Sequence, residues 1–231
     1  IGNIQVDGAY TVYFRSLSST KQINGKQYSG VTFFYNVFPY ANENLIFPSL
    51  EFYVETPDEG GYKGIRRKVK TDSKTIKVKP IPPNIDYQNW LVSSSVRIYD
   101  NWKGNIKKVK VGDVLERQIT IKVGNTISQF IPKVHFDTLV NISLYPRRSN
   151  LKNNKTKTSI SAIRTDATRY LFEKEGDYTI PEINIQWWNP YSHKLFKRVL
   201  KSKTIHVEPN PDLGILQSIK DELKATVEKE Q

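Results

Sequence analysis

Apolar and polar positions alternate most clearly in residues 178–190. Ile183, Ile185 and Trp187 alternate with Asn184 and Gln186, the period of a strand with one buried face. Glu175-Gly176-Asp177 turns the chain into this run, and Asn189-Pro190 ends it. Two adjacent tryptophans are a large apolar load, which puts the strand at the centre of a β core. With Trp187 on the buried face, Trp188 points outward. Residues 115–123 alternate as well. Leu115, Arg117, Ile119, Ile121 and Val123 share one face, and Glu116, Gln118, Thr120 and Lys122 the other. Arg117 is the odd member of the apolar face. Trp187 is expected to be buried beside Ile119, Ile121 and Ile185.

The same reading predicts strands over 9–14, 31–37 and 47–54, then a last hairpin from 65–69 and 75–78. Asn24-Gly25 is a tight-turn signal. Further on it predicts strands around 96–98, 129–136, 140–145, 164–172 and 199–207. Turns fall at Lys103-Gly104-Asn105, Val111-Gly112-Asp113 and Gly124-Asn125, and 146–157 reads as a polar basic loop. Short strands punctuated by turns point to an all-β chain of β-sandwiches. Pro80-Ile81-Pro82-Pro83-Asn84 is a stiff boundary between domains 1–82 and 83–209. Leu216, Ile219, Leu223 and Val227 then recur at helical spacing. An amphipathic helix is therefore expected over 210–231, with Pro211 and Asp212 at its start.

The chain also repeats itself. Phe47-Pro48-Ser49-Leu50-Glu51-Phe52 reads like Ile180-Pro181-Glu182-Ile183-Asn184-Ile185. Each copy is followed by a basic hairpin and a similar closing strand, residues 73–80 and 202–209. A period this long marks duplicated domains and not a solenoid.

Composition narrows the chemistry. The 231 residues suit one or two domains, and 38% hydrophobic with 12% aromatic content supplies real cores. Cysteine is absent, which removes thiol catalysis, thiolate metal sites and disulfides. Methionine is absent too, initiator included, so a fragment or processed chain is expected. His135, His193 and His206 lack metal-ligand spacing, and Asp113, Glu116, Asp137, Asp177 and Glu182 form no readable acid–base pair. No phosphate loop or hydrolase motif is present. The expectation is a non-enzyme without a cofactor or metal.

The formal net charge of +12 suits a polyanion or an acidic partner. Arg66, Arg67 and Lys68 lie in the first basic hairpin, and Lys194, Lys197, Arg198 and Lys201 in the second. Arg147, Arg148, Lys152, Lys155 and Lys157 form a third cluster, and Lys103, Lys107, Lys108 and Lys110 a fourth. No aromatic pattern organises them for base stacking, so nucleic acid is not the expected ligand. An outward Trp188 is the candidate sugar platform, in a chain with only Trp90, Trp102, Trp187 and Trp188.

The ordered signals of the second unit resemble the BatD, or oxygen-tolerance, family. They are Val111-Gly112-Asp113 before residues 115–123, Phe130-Ile131-Pro132, Leu144-Tyr145-Pro146, Tyr170 through Gly176, Ile180-Pro181-Glu182-Ile183, Trp187-Trp188-Asn189 and the closing Val207-Glu208-Pro209. Ile23-Asn24-Gly25-Lys26, Phe38-Pro39, Phe47-Pro48 and Val78-Lys79-Pro80 resemble a preceding repeat of that family. The likeness covers most of 23–209, and residues 1–22 match loosely. It implies tandem immunoglobulin-like domains, exported to the periplasm and anchored to the inner membrane by a C-terminal span absent here. It implies protein partners in the envelope, namely von Willebrand A-domain membrane proteins and a MoxR-type ATPase, and supplies no catalytic residues. The expected function is a non-enzymatic scaffold. Its candidate contacts are Arg66, Arg67, Lys68, Lys194, Lys197, Arg198, Lys201 and Trp188. A polyanion- or carbohydrate-binding sandwich is the alternative.

Overall fold

Asn24 and Gly25 both take positive φ, 49° and 75°. That is the turn geometry whose twist matches a two-residue hairpin. In the computed structural model, which describes residues 2–40, 43–56, 64–82, 85, 89–156 and 159–214, this turn joins β1 (Ala9–Ile23) to β2 (Lys26–Pro39). The chain is all-β and divides into two compact units, Ile1–Ile85 and Asp86–Gln231.

In the first unit, β3 (Leu45–Phe47), β4 (Glu51–Thr56), β5 (Ile65–Lys70) and β6 (Lys74–Ile76) follow. β4 pairs with β5, and β3 with β6, as a nested hairpin. Two expectations therefore change. The strand foreseen over 47–54 breaks at Pro48, which has no N–H for the ladder. At the break, Thr71 N donates to the Leu50 carbonyl at 2.9 Å, and Leu50 N to Thr71 Oγ1 at 2.9 Å. Residues 65–69 and 75–78 do not form a hairpin, because each returns to an earlier strand. Val6, Ala9 and Leu45 are buried, with Ile4, Val37, Phe47 and Val78 packed on them. Phe33 of β2 stacks on Phe52 of β4 at 5.3 Å. Residues 57–63, and Pro83 and Asn84 of the proline stretch, lie outside the described residues.

The second unit contains β7 (Val96–Lys103), β8 (Val109–Lys110), β9 (Val114–Gly124), β10 (Ile142–Pro146), β11 (Asn150–Lys155), β12 (Ile160–Phe172), β13 (Gly176–Ile180), β14 (Ile183–Asn189), β15 (Lys194–Leu200) and β16 (Lys203–Glu208). One sheet runs β10-β12-β9-β7, with β11 continuing beside β12. Two shorter pieces, β13-β16-β8 and β14-β15, cover its inner face. The chain passes between them at Pro181-Glu182 and returns at Lys201-Ser202. The single runs expected over 178–188 and 199–207 are thus each two strands, the first broken at Pro181 as the earlier copy is at Pro48.

Three further expectations are corrected. Residues 129–136 are not a strand. A 3₁₀ turn, Ser128–Phe130, leads into irregular chain. That chain is held by side chains, with Asp166 Oδ2 accepting from Val134 N at 3.0 Å and Arg164 donating to the Ile131 carbonyl at 3.1 Å. Within the expected loop at 146–157, β11 pairs with β12. Trp187 is half-buried, not fully enclosed. It packs with Ile183 and Ile185 on the Ile119–Ile121 cluster and stacks on Phe196 at 5.7 Å. Residues 211–214 make one helical turn, and 215–231 lie outside the described residues.

The repeat is exact in register. Val6 bridges Ala9 as Leu139 bridges Ile142. Ala9 faces Pro39 as Ile142 faces Phe172. Gln22 faces Gln27 as Lys155 faces Ile160. Phe47 faces Lys74 as Ile180 faces Lys203, and Phe52 faces Val69 as Ile185 faces Arg198. Gly8 and Asn141, at equivalent positions, both have positive φ. Thus β1 corresponds to β10 plus β11, and β2 to β12. The elements β3 to β6 correspond to β13 to β16. Within the described residues, β7, β8 and β9 have no first-unit counterpart.

The second core is in two halves. Ile119, Ile121, Val123 and Ala162 pack under β14 and β15; Leu115, Tyr170 and Phe172 pack under β13, β16 and β8. Between them every inward position is polar: Asp100 on β7, Arg117 on β9, and Arg164, Asp166 and Thr168 on β12. Arg117 is 2% exposed and holds Asp100 in a two-pronged pair, Nε–Oδ1 3.0 Å and Nη2–Oδ2 2.8 Å. Asp100→Ala should leave that guanidinium buried and uncompensated, at a cost of about 3–5 kcal/mol. The double change Asp100→Leu with Arg117→Met should recover most of it. Urea unfolding of the two variants checks this, and equal midpoints would contradict the assigned role of the pair.

Candidate functional site

The basic hairpins are the β4–β5 and β14–β15 ribbons. Alternation divides their cations between two faces. On the outer face of β4–β5, Lys68 pairs with Glu51 at 2.8 Å, and the Arg66 guanidinium lies 4.4 Å from the centre of the Tyr53 ring. Arg67 points to the opposite face, donating from Nε to Thr56 Oγ1 at 3.2 Å. On β15, Lys197 lies beside Gln186 and faces out, whereas Arg198 lies beside Ile185 on the side of the core. Lys194 is at the ribbon tip and Lys201 in the return bend. The register makes Lys68 and Lys197 the only cations of the two groups that coincide. Arg66 corresponds to Leu195, Arg67 to Phe196 and Arg198 to Val69.

Trp188 is half-buried. Trp90 lies 6.3 Å from it, centre to centre, and its backbone bonds Leu91 and Ser93 at 2.8 and 3.0 Å. A sugar would therefore meet the Trp90–Trp188 pair and not a bare ring.

A cationic surface absent from the sequence reading lies on the outer face of the five-stranded sheet. Arg97, Lys122, Ile163 and Lys152 sit side by side on β7, β9, β12 and β11. Arg97 and Lys122 are direct cross-strand partners, an unfavourable juxtaposition of like charges. Lys122 is relieved in part by the Tyr99 ring, 5.1 Å from its Nζ. Six residues along the strands is a second charged row, in which Glu116 takes Lys103 at 3.0 Å and Arg169 and Arg147 at 3.2 Å each. Between the rows is a neutral strip that includes the Thr120–Thr165 hydroxyl pair at 3.1 Å. Only pairing order reveals these rows, because their members are far apart in sequence.

The remaining candidates stay dispersed. Lys110 N donates to Asp113 Oδ2, closing the turn after β8. Lys157 lies outside the described residues. His206 bonds Asp177 at 2.7 Å, and His135 is 3.7 Å from Asp137, both in exposed settings. A groove of about 200 Å³ runs along residues 132–137 and 182–186, lined by Lys133, His135, Asp137 and Glu182. Among the described residues no cluster of three or more His, Asp or Glu side chains could hold a metal ion, and no helix is long and apolar enough to cross a membrane. No protein-family model, curated protein or solved structure matches the chain.

Among the described residues Glu116 is the one carboxyl held far from its usual range. The Lys103 hydrogen bond, aided by Arg169 and Arg147 and opposed by burial, lowers its pKa from 4.5 to about 2. A folded-state pKa below the unfolded one adds stability above about pH 4.5. That increment is lost as pH falls towards 2. Glu116→Gln should remove this part of the acid limb, so that wild type and variant converge in stability near pH 2. Parallel curves of unfolding free energy from pH 6 to 2 would contradict the assignment.

Proposed function

We propose that this chain is a non-enzymatic scaffold, a pair of immunoglobulin-like sandwiches that presents exposed ribbons to protein partners of the cell envelope. The observation that supports it best is the repeated nested hairpin, whose outer ribbon is retained in both copies with an identical register. β5 is exposed along its whole length, and β15 along all but its last residue. The outward side chains of both ribbons are open to a partner, while Ile183, Ile185 and Trp187 of β14 pack on the core. The resemblance to the oxygen-tolerance family supplies the rest of the proposal: a von Willebrand A-domain protein as partner, and a periplasmic place at the inner membrane. A C-terminal helix continuing from residues 211–214 into 215–231 belongs to the same proposal.

The ribbon cations would steer encounter more than they would set affinity. Replacing Arg66, Arg67, Lys197 and Arg198 together with serine should leave folding nearly intact, because exposed charges contribute little. Capture of the envelope partner by the purified chain should slow by about tenfold at low salt. An unchanged rate with normal folding would remove the ribbons from the interface.

A second reading, polyanion binding, is favoured by the row Arg97, Lys122 and Lys152. Binding of heparin that weakens steeply with salt and fails in the triple serine variant of that row would select it.

A further inference from the structure

The outer face of the five-stranded sheet is charged out of balance. Its outward positions on β7, β9, β11 and β12 carry Arg97, Lys103, Lys122, Lys152 and Arg169, and the one carboxylate among them is Glu116. Glu116 already serves three cations at one end of the face, with Arg147 reaching it from just beyond β10. At the other end, no ion pair among the described residues includes Arg97, Lys122 or Lys152. Arg97 stands directly opposite Lys122, and like charges so placed weaken a strand pair. A bound anion would remove that repulsion.

Between the two charged ends the face is uncharged and rich in hydrogen-bonding groups. Tyr99, Thr120, Thr165 and Asn150 stand side by side in one cross-strand row, and Asn101, Gln118 and Ala167 in the next. Phenol, hydroxyl and amide groups both donate and accept, as sugar hydroxyls require. Tyr99 is 41% exposed. The ends are six residues apart along the strands, about 20 Å. Single-stranded nucleic acid matches this face poorly, because base stacking needs a series of open rings. Tyr99 is the one ring of the strip and already lies against Lys122. A membrane surface matches it poorly too, because interfacial binding inserts apolar side chains. Only Ile163 and Ala167 are apolar in the strip and the row Arg97, Lys122 and Lys152.

We propose that this face binds a linear acidic polysaccharide laid along the strands, with its anionic groups on Arg97 and Lys122 at one end and on Lys103 and Arg169 at the other. Its hydroxyls meet the strip of Tyr99, Thr120 and Thr165 between them. The inference rests on the polyanion reading and names the polymer. It is independent of the ribbon cations, which lie on β4–β5 and β14–β15.

The test titrates the full chain with heparin oligosaccharides of graded length and with polyphosphate of matched charge. Heparin affinity should climb with length until the oligosaccharide spans about 20 Å, and rise little beyond that. At equal charge heparin should bind about tenfold more tightly than polyphosphate, the equivalent of one or two neutral hydrogen bonds. Thr120→Val with Thr165→Val should erase that preference and leave polyphosphate binding unchanged, which also shows that the variant folds. Arg97→Ser with Lys122→Ser should weaken both polymers and flatten their salt dependence. Equal affinity for heparin and polyphosphate overturns the polysaccharide assignment while the polyanion reading stands, and binding of neither removes both. A preference that survives in the double valine variant, or tighter binding of single-stranded DNA or anionic vesicles than of heparin, also overturns the assignment.

Discussion

A buried guanidinium dictates how the second unit is built. Arg117 stands where the alternation of β9 calls for an apolar side chain, and the fold makes room for it instead of expelling it. Desolvating an arginine costs several kcal/mol unless its partner is well placed. Asp100 meets it in a two-pronged geometry, and the Trp102 ring lies 5.3 Å away from its carbon. Trp102 in turn stacks on Tyr170 at 5.6 Å. One strand over, Arg164 and Asp166 pair at 2.7 Å and tie down the irregular segment through Val134 and Ile131. A polar belt thus crosses the inner face of three strands. The covering layer breaks in the same region, at Pro181-Glu182 and Lys201-Ser202, so each half of that layer packs on its own apolar cluster.

How far the sequence revealed this depends on what each side chain had to satisfy. Strands with one buried face were legible, since burial writes a period of two. β9 and β14 are the clear cases, and the anomaly of Arg117 was visible in the first. β11 was not legible, because all of Asn150–Lys155 is exposed and no face selects apolar residues. Residues 129–136 misled for the opposite reason. Ile131, Val134 and Phe136 serve the core, but the Ile131 carbonyl and the Val134 N–H are satisfied by Arg164 and Asp166 and not by a neighbouring strand. The hairpin foreseen between 65–69 and 75–78 failed because pairing in a nested hairpin is set by topology, which local patterning does not encode.

The candidate site was legible in outline only. Sequence order placed cations on both ribbons, and they are there. It could not assign them to faces, since a kink at Pro48 or Pro181 resets which parity points outward. The cationic rows on the outer sheet face were invisible for a related reason. Arg97, Lys122 and Lys152 are neighbours only through the order β7-β9-β12-β11, and no short-range motif carries that order.

Comparison of the copies shows two ways of filling one bend. Val31, Phe33 and Tyr35 of the first unit occupy the positions of Arg164, Asp166 and Thr168 in the second. Where the second copy crosses its bend with ion pairs, the first uses rings: Phe33 stacks on Phe52, and Tyr35 lies 6.3 Å from Phe47. The ion pairs of the second copy lie beside β9 and are enclosed there, with Arg117 and Asp166 both buried. Phe33 and Tyr35 are half-buried, as aromatic side chains with part of their surface in water commonly are. The register fixed by the nested hairpin is therefore the constraint the two copies share, and the same positions within it accept either ion pairs or aromatic rings.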